Sequence, residues 1–187
     1  MTTVLGKRLR RWPARLAVGV AVLIASALML GGCSVRFPSR HQADKPEQPL
    51  SDGQSVAQVV AAAKQIADVS RLQDVSGSFR WESCNDQGEK PYRGRLDMTF
   101  VVPQGSDHSA YFQRIANTME SNGWSAGPPH GQHATGTVIH QDDVMATIGI
   151  SPYPDADGSV KLLGQCRNMN DHRRDSGFSV KDQLVGG

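Results

Sequence analysis

The sequence predicts an α+β domain, an antiparallel sheet of about five strands with two helices packed on one face, in the order α-β-β-α-β-β-β. Three observations carry that prediction. From Tyr92 to Val102 apolar and polar residues alternate, the mark of a strand with one buried face. Two segments, Val56–Ala67 and Phe112–Met119, repeat their apolar residues at helical spacing. The links between successive strands are short, which suits antiparallel neighbours rather than parallel strands joined by crossovers.

Taken in order, Ser51-Asp52-Gly53-Gln54 has the S-x-x-Q form of a capping box. Behind it Val56, Val59, Val60, Ala63, Ile66 and Ala67 recur as a helical stripe, giving a first helix to about Ser70. SGSFRWESC (76–84) is a short strand, with Phe79 and Trp81 on one face and Arg80 and Glu82 on the other. The clearest strand follows, with Tyr92, Gly94, Leu96, Met98, Phe100 and Val102 alternating with Arg93, Arg95, Asp97, Thr99 and Val101. Pro103 to Asp107 breaks it and caps a second helix, whose buried stripe is Phe112, Ile115, Ala116 and Met119 and whose stop is Asn122-Gly123. A Gly/Pro connection, GWSAGPPHGQHA, comes next. Two strands, Gly136–His140 and Val144–Ser151, are joined at Asp142-Asp143, PYPDADG is a turn, and Ser159–Cys166 is the last strand. The domain is expected to span 51–175, and the remainder, 176–187, to be a polar tail that frays.

The chain before the domain is of a different kind. Leu16–Leu30 is apolar for about 15 residues, short for a membrane span and right for the core of a signal peptide. Lys7, Arg8, Arg10, Arg11 and Arg15 precede it, with no acidic residue before position 33. Arg10-Arg11 invites a twin-arginine export signal, against which stand Pro13 and the missing polar lead-in. Leu30-Gly31-Gly32-Cys33 has the form of a bacterial lipobox. Residues 1–32 are therefore expected to be a lipoprotein signal peptide, removed before Cys33, whose thiol and freed amine take acyl chains such as palmitate. Two or three chains make a lasting anchor where one does not. The alternative is an uncleaved signal anchor. Residues 33–50 hold three prolines, mixed charges and few large apolar groups, the composition of an extended tether.

Removing 32 of 187 residues takes five basic groups away and leaves 15 Lys+Arg against 18 Asp+Glu, a net charge of −3. The basic character belongs to targeting, and no nucleic-acid partner is expected. Two cysteines remain, Cys84 and Cys166. In an exported chain they are most simply one disulfide, the alternative being two free thiols. Their strand faces conflict, so both are expected just past strand ends.

WESCNDQGEKPYRG, AYFQRIANTMESNGWSAGPPHGQ, GTVIH and GQCRNMNDH resemble the LppJ lipoproteins of mycobacteria, over a stretch from about Ala57 to His172. Asp142-Asp143 departs from the Asn-Gly chemistry expected of a tight type I′ turn. The resemblance implies a lipid-anchored envelope protein, placed at the outer face of the plasma membrane, and carries no catalytic residue to transfer.

Candidate chemistry therefore rests on the individual residues. His130 and His133 lie in a Gly/Pro loop and could meet His140 and Asp142-Asp143 if that loop folds over the hairpin, but solvated loop histidines are the simpler reading and no metal is expected. Pro154 to Gly158 lacks the ligand pattern of a calcium loop and reads as a turn. No GxSxG, SxxK, HExxH or P-loop pattern occurs, so neither enzymatic activity nor a cofactor is expected. Arg80, Arg93, Arg95 and His140 should share the sheet face away from the helices. They form a candidate anion-binding face, against which stands an ordinary solvated face with cross-strand ion pairs such as Glu82 with Arg93 or Arg95. Two functions remain: a non-enzymatic binding or interaction module attached to the membrane through Cys33, or a carrier of lipids or glycolipids. A carrier needs an apolar cavity, whereas alanine-rich helices and eleven aromatic residues suggest a thin, filled core.

Overall fold

Ser51 closes the predicted capping box: its hydroxyl accepts from the Gln54 amide at 3.2 Å and the Gln54 side chain accepts from the Ser51 amide at 2.9 Å. From this cap the first helix, α1, runs Asp52–Ser70. The structure is a computed structural model and describes residues 48–185. The signal peptide, Cys33 and the tether up to residue 47 lie outside the described residues. Strands β1 (Gln73–Ser83) and β2 (Tyr92–Val101) follow, then helix α2 (His108–Glu120) and the two-residue strand β3 (Ser125–Ala126). Next come β4 (Thr137–Gln141), β5 (Val144–Ile150), β6 (Gly158–Leu163), β7 (Phe178–Ser179) and a last turn of helix, α3 (Lys181–Leu184).

The predicted class holds: the strands form one antiparallel sheet, in the order β3-β4-β5-β6-β2-β1-β7. The five predicted strands occupy its middle, and the two-residue strands β3 and β7 are added at its edges. Alternation in β2 works as expected. Tyr92, Leu96, Met98 and Phe100 are buried on the face where α1 and α2 lie, and the charged residues point away. Gly94 is the one small residue on that inner row. A Cβ there would come within 2.7 Å of the Ser55 carbonyl and 2.9 Å of the Phe79 ring, so glycine lets the start of α1 lie against the sheet.

Between sheet and helices Phe79, Leu96, Met98, Phe100, Met119, Ile139 and Leu162 are essentially without solvent exposure. Trp124, expected to open a loop, is buried in this core instead, and its indole N–H donates to Gln65 Oε1 at 3.0 Å. Asp142 and Asp143 take φ of 47° and 63°, so the two-residue turn is of type I′ despite lacking the Asn-Gly pair; aspartate tolerates the left-handed region better than most side chains. Ile139 pairs with Ala146 and His140 with Met145, the register that turn predicts.

The expected fraying tail is corrected. Phe178 and Ser179 pair with Phe79 and Ser78, and Val180 and Leu184 are buried in the core. They fit because position 77 is glycine: a Cβ there would stand 2.7 Å from the Leu184 side chain. The tether ends earlier than its composition suggests, because the domain already holds Gln48 and Leu50. Leu50 donates its amide to the Arg167 carbonyl at 2.9 Å, and the Arg167 Nε donates to the Gln48 carbonyl at 3.0 Å.

Cys84 and Cys166 form a disulfide with Cα atoms 6.0 Å apart. Both lie past strand ends, which removes the conflict of faces. The bridge spans 82 positions of chain, and in the chain-entropy model closing a loop of that length contributes roughly 4 kcal/mol.

Candidate functional site on the open sheet face

The face of the sheet away from α1 and α2 divides in two. Over β4, β5 and the end of β6, Val138, Met145 and Leu163 form a small second apolar cluster, and Ala134 of the long Gly/Pro loop packs on it. His140 fastens that loop, its Nδ1 lying 2.8 Å from the Gly127 carbonyl. Among the described residues no group of three or more His, Cys, Asp or Glu side chains is arranged to hold a metal ion. Over β6, β2 and β1 the face is open and polar.

On this open half β1 and β2 set Arg80 opposite Arg95, Glu82 opposite Arg93 and Ser78 opposite Asp97. Like charges face one another at Arg80 and Arg95, an arrangement that costs free energy unless carboxylates intervene. They do. Glu82 accepts from Arg93 through both Nε, at 3.0 Å, and a shorter contact from Nη2, and from Arg95 Nη1 at 3.0 Å. Asp97 accepts from Arg95 Nε at 3.0 Å and Nη2 at 2.9 Å, and lies 3.4 Å from Arg80 Nη2. Burial alone would push the Glu82 carboxyl up, but the hydrogen bonds from Arg93 and Arg95 outweigh it and hold it below the ordinary carboxylate value. For Arg95 burial acts downward, and its bonds to Asp97 and Glu82 carry it above the usual guanidinium value. The structure thus brings Arg80, Arg93 and Arg95 together. It does not bring His140 to them, since β5 and β6 stand between β4 and β2. The arginines are engaged with carboxylates of their own sheet, the cross-strand pairing that the sequence offered as the alternative.

Beside this ladder lies a feature the sequence reading missed. The β5–β6 connection is pinned to the end of β2 by the Val102 amide, which donates to Asp157 Oδ2 at 3.3 Å, and it carries Tyr153. Strand β7 borders it at the other side through Gly177 and Ser179, while the Phe178 ring lies on the helix face, 5.0 Å from the ring of its partner Phe79. Tyr153 is 53% exposed. Between that connection and β7 the floor is made of short side chains, Ser76, Ser78 and Thr99, and the result is a trough of about 510 Å³ whose lining includes Asp74, Asp97 and Asp155. A second recess of about 260 Å³ continues it along β6, lined by Arg95, Thr147, Ile150 and Lys161, and the two share Asp97, Thr99 and Tyr153. The available signal was weak, a lone tyrosine between two prolines.

At the other end of β2 a buried polar knot joins the domain to its entering chain. Asn168 is fully buried, and its side-chain N–H donates to Asp52 Oδ1 at 2.7 Å. The His172 ring stacks on Trp81 with centroids 3.6 Å apart, its Nε2 lying 3.1 Å from Asn168 Oδ1 and 3.2 Å from Asp52 Oδ1, and its Nδ1 2.7 Å from Asp175 Oδ2. Its hydrogen bonds join α1, the end of β2 and the segment after the disulfide, which is a fastening role.

The model of the family described as "Putative lipoprotein LppJ" matches residues 51–183. Curated relatives of that description, from two strains of Mycobacterium tuberculosis and from Mycobacterium bovis, are each 39% identical over 180 residues, covering 91% of this chain and 95% of the relative. No solved structure matches. The match takes in both strands of the arginine–carboxylate ladder, the disulfide and the polar knot, and on it the chain belongs to the LppJ lipoprotein family.

Proposed function

We propose that this lipoprotein is a non-enzymatic binding module, held at the outer face of the plasma membrane by acyl chains on Cys33, which offers the open half of its sheet to a ligand or partner in the cell envelope. One contrast supports this reading. The space between sheet and helices is filled, whereas the opposite face carries an open trough beside the exposed Tyr153. Side chains lining a hollow would retain surface accessible from it, and Leu96, Met98, Phe100, Met119 and Leu162 retain none. An acyl chain therefore has no place beneath the sheet, which favours the module over a carrier of lipids or glycolipids.

The test is organic extraction of the protein purified from membranes, followed by mass spectrometry. The module reading expects no stoichiometric lipid beyond the anchor. One lipid or glycolipid per chain would overturn it in favour of the carrier.

A further inference from the structure

We propose that His172 is held in the folded domain as an imidazolium, with both ring nitrogens protonated, and that loss of one of those protons unlatches the segment leading to β7 and α3. Its Nδ1 lies 2.7 Å from a carboxylate oxygen, Asp175 Oδ2. Its Nε2 lies 3.1 Å from Asn168 Oδ1 and 3.2 Å from Asp52 Oδ1. The orientation of the Asn168 amide is fixed from both sides. Its Oδ1 accepts from the Asn170 backbone amide at 2.9 Å, while its Nδ2 donates to Asp52 Oδ1 at 2.7 Å. Among the described residues both ring nitrogens therefore meet acceptors. A neutral imidazole has one N–H and one lone pair, so either tautomer would set a lone pair against an oxygen. The imidazolium donates at both ends.

The surroundings suit a cation. The ring is buried and lies parallel to the Trp81 indole of β1, with centroids 3.6 Å apart, and an aromatic face attracts positive charge. Asp52 faces it from α1 and Asp175 from its own segment, so the buried charge meets two carboxylates. From β2 the Tyr92 phenol meets it at nearly a right angle. Of the cations beside it in sequence, Arg173 is turned to Asp171 at 2.7 Å, and Arg174 is exposed to screening by solvent. The position of the ring makes it a latch. It sits between Cys166 of the disulfide and β7, which pairs with β1 through two residues, too few to hold a strand unaided. Beyond them the Val180 amide donates to the Gly77 carbonyl at 3.0 Å. An unfolded chain releases the imidazole proton above about pH 6.5. A fold that keeps the proton there is stabilised by it, and that contribution falls as pH rises. The first part to loosen is the segment that His172 ties to α1 and β1.

The experiment uses the lipidated full chain in detergent micelles and has two readouts. The first is the charge of the ring, from long-range proton–nitrogen spectra of protein labelled with nitrogen-15 at histidine alone. At about pH 7.5, where a free imidazole is mostly neutral, the His172 ring should show two protonated nitrogens. A lone-pair nitrogen in that ring would overturn the proposal. The second is hydrogen exchange of the peptide 176–184, read by mass spectrometry and divided by the rate of an unstructured chain at the same pH. Between about pH 7 and 9 this ratio should rise about tenfold in the parent. In His172→Gln, which has no ring proton to lose, it should stay level. A level ratio in the parent, or an equal rise in His172→Gln, would overturn the latch. Asp175→Asn changes a half-exposed side chain and keeps the test open if His172→Gln fails to fold. It should exchange at least about threefold faster than the parent at pH 7, and an unchanged rate would overturn the latch as well.

Discussion

At Asp52 one carboxylate serves two ends of the structure. It stands in the first turn of α1, where the helix dipole favours negative charge, and it accepts hydrogen bonds from Asn168 and Asn170. The Asn168 bond is the leading cause that holds its carboxyl below the ordinary aspartate value, with Asn170 and His172 acting the same way against the opposing effect of burial. A carboxyl depressed in the folded state binds its proton more readily when unfolded, so it stabilises the fold above the unfolded value, about pH 4, and that contribution fades as pH falls through the folded value. Asp52→Asn should therefore lower the urea midpoint most near neutral pH, with the gap from the parent narrowing towards about pH 3. A gap constant between those limits would refute the linkage. Phe100 tests the opposite kind of residue. It has no solvent exposure and packs directly over Gly158, where a Cβ would come within 2.3 Å of its ring. Phe100→Ala should cost about 3–5 kcal/mol in chemical denaturation, the range for emptying a packed aromatic site. A loss below about 1 kcal/mol would mean that the space beneath the sheet is hollow.

Elements with a strong local pattern were legible, and those made by contacts distant in the chain were not. Strand β2 announced itself because each of its residues alternates in character, and α1 because Ser51 and Gln54 place a complete cap before an apolar stripe. The Asp142-Asp143 turn was legible from hairpin length alone. The C-terminal elements were illegible for a physical reason. Val180 and Leu184 are buried apolar residues in a polar stretch, too few to show a period, and their burial depends on the slot that Gly77 opens about a hundred positions earlier. The trough was missed for the same reason, since Tyr153 and strand β7 come to border it only through the order of the sheet. The arginines were placed on the right face, but pattern alone could not say that Glu82 and Asp97 would engage them. Removing 178–187 should therefore do more than shorten a tail. It takes Val180 and Leu184 out of the core, and at about 1.5–3 kcal/mol for each buried side chain the truncated chain should lose roughly 3–6 kcal/mol of stability to urea. An unchanged midpoint would show that this segment does not hold its place in solution.

At the scale of the whole molecule, the attachments gather at one end and the open surface lies towards the other. Leu50 pairs with Asn168, the disulfide follows β1 and β6, and the Asp52–Asn168–His172 knot binds the same region, so the end that receives the tether is the most heavily cross-linked. That placement suits a domain pulled from one end by a membrane anchor, since any load on Leu50 passes into residues that a covalent bridge and a buried hydrogen-bond network already hold. Among the described residues no helix is long and apolar enough to cross a membrane. In the proposed arrangement the acyl chains on Cys33 hold the mature chain. Cys33→Ala should then move the protein from the membrane fraction to the soluble one, or leave it as an unprocessed precursor still carrying residues 1–32. The substitution should not disturb the domain, because its core and disulfide lie within 51–184. Any released chain should keep the parent's thermal midpoint and show Cys84 and Cys166 in one linked peptide. Fractionation with mass analysis checks both parts. Full processing with complete retention on membranes would sink the lipid-anchor assignment, and an altered midpoint would mean that the tether contributes to folding.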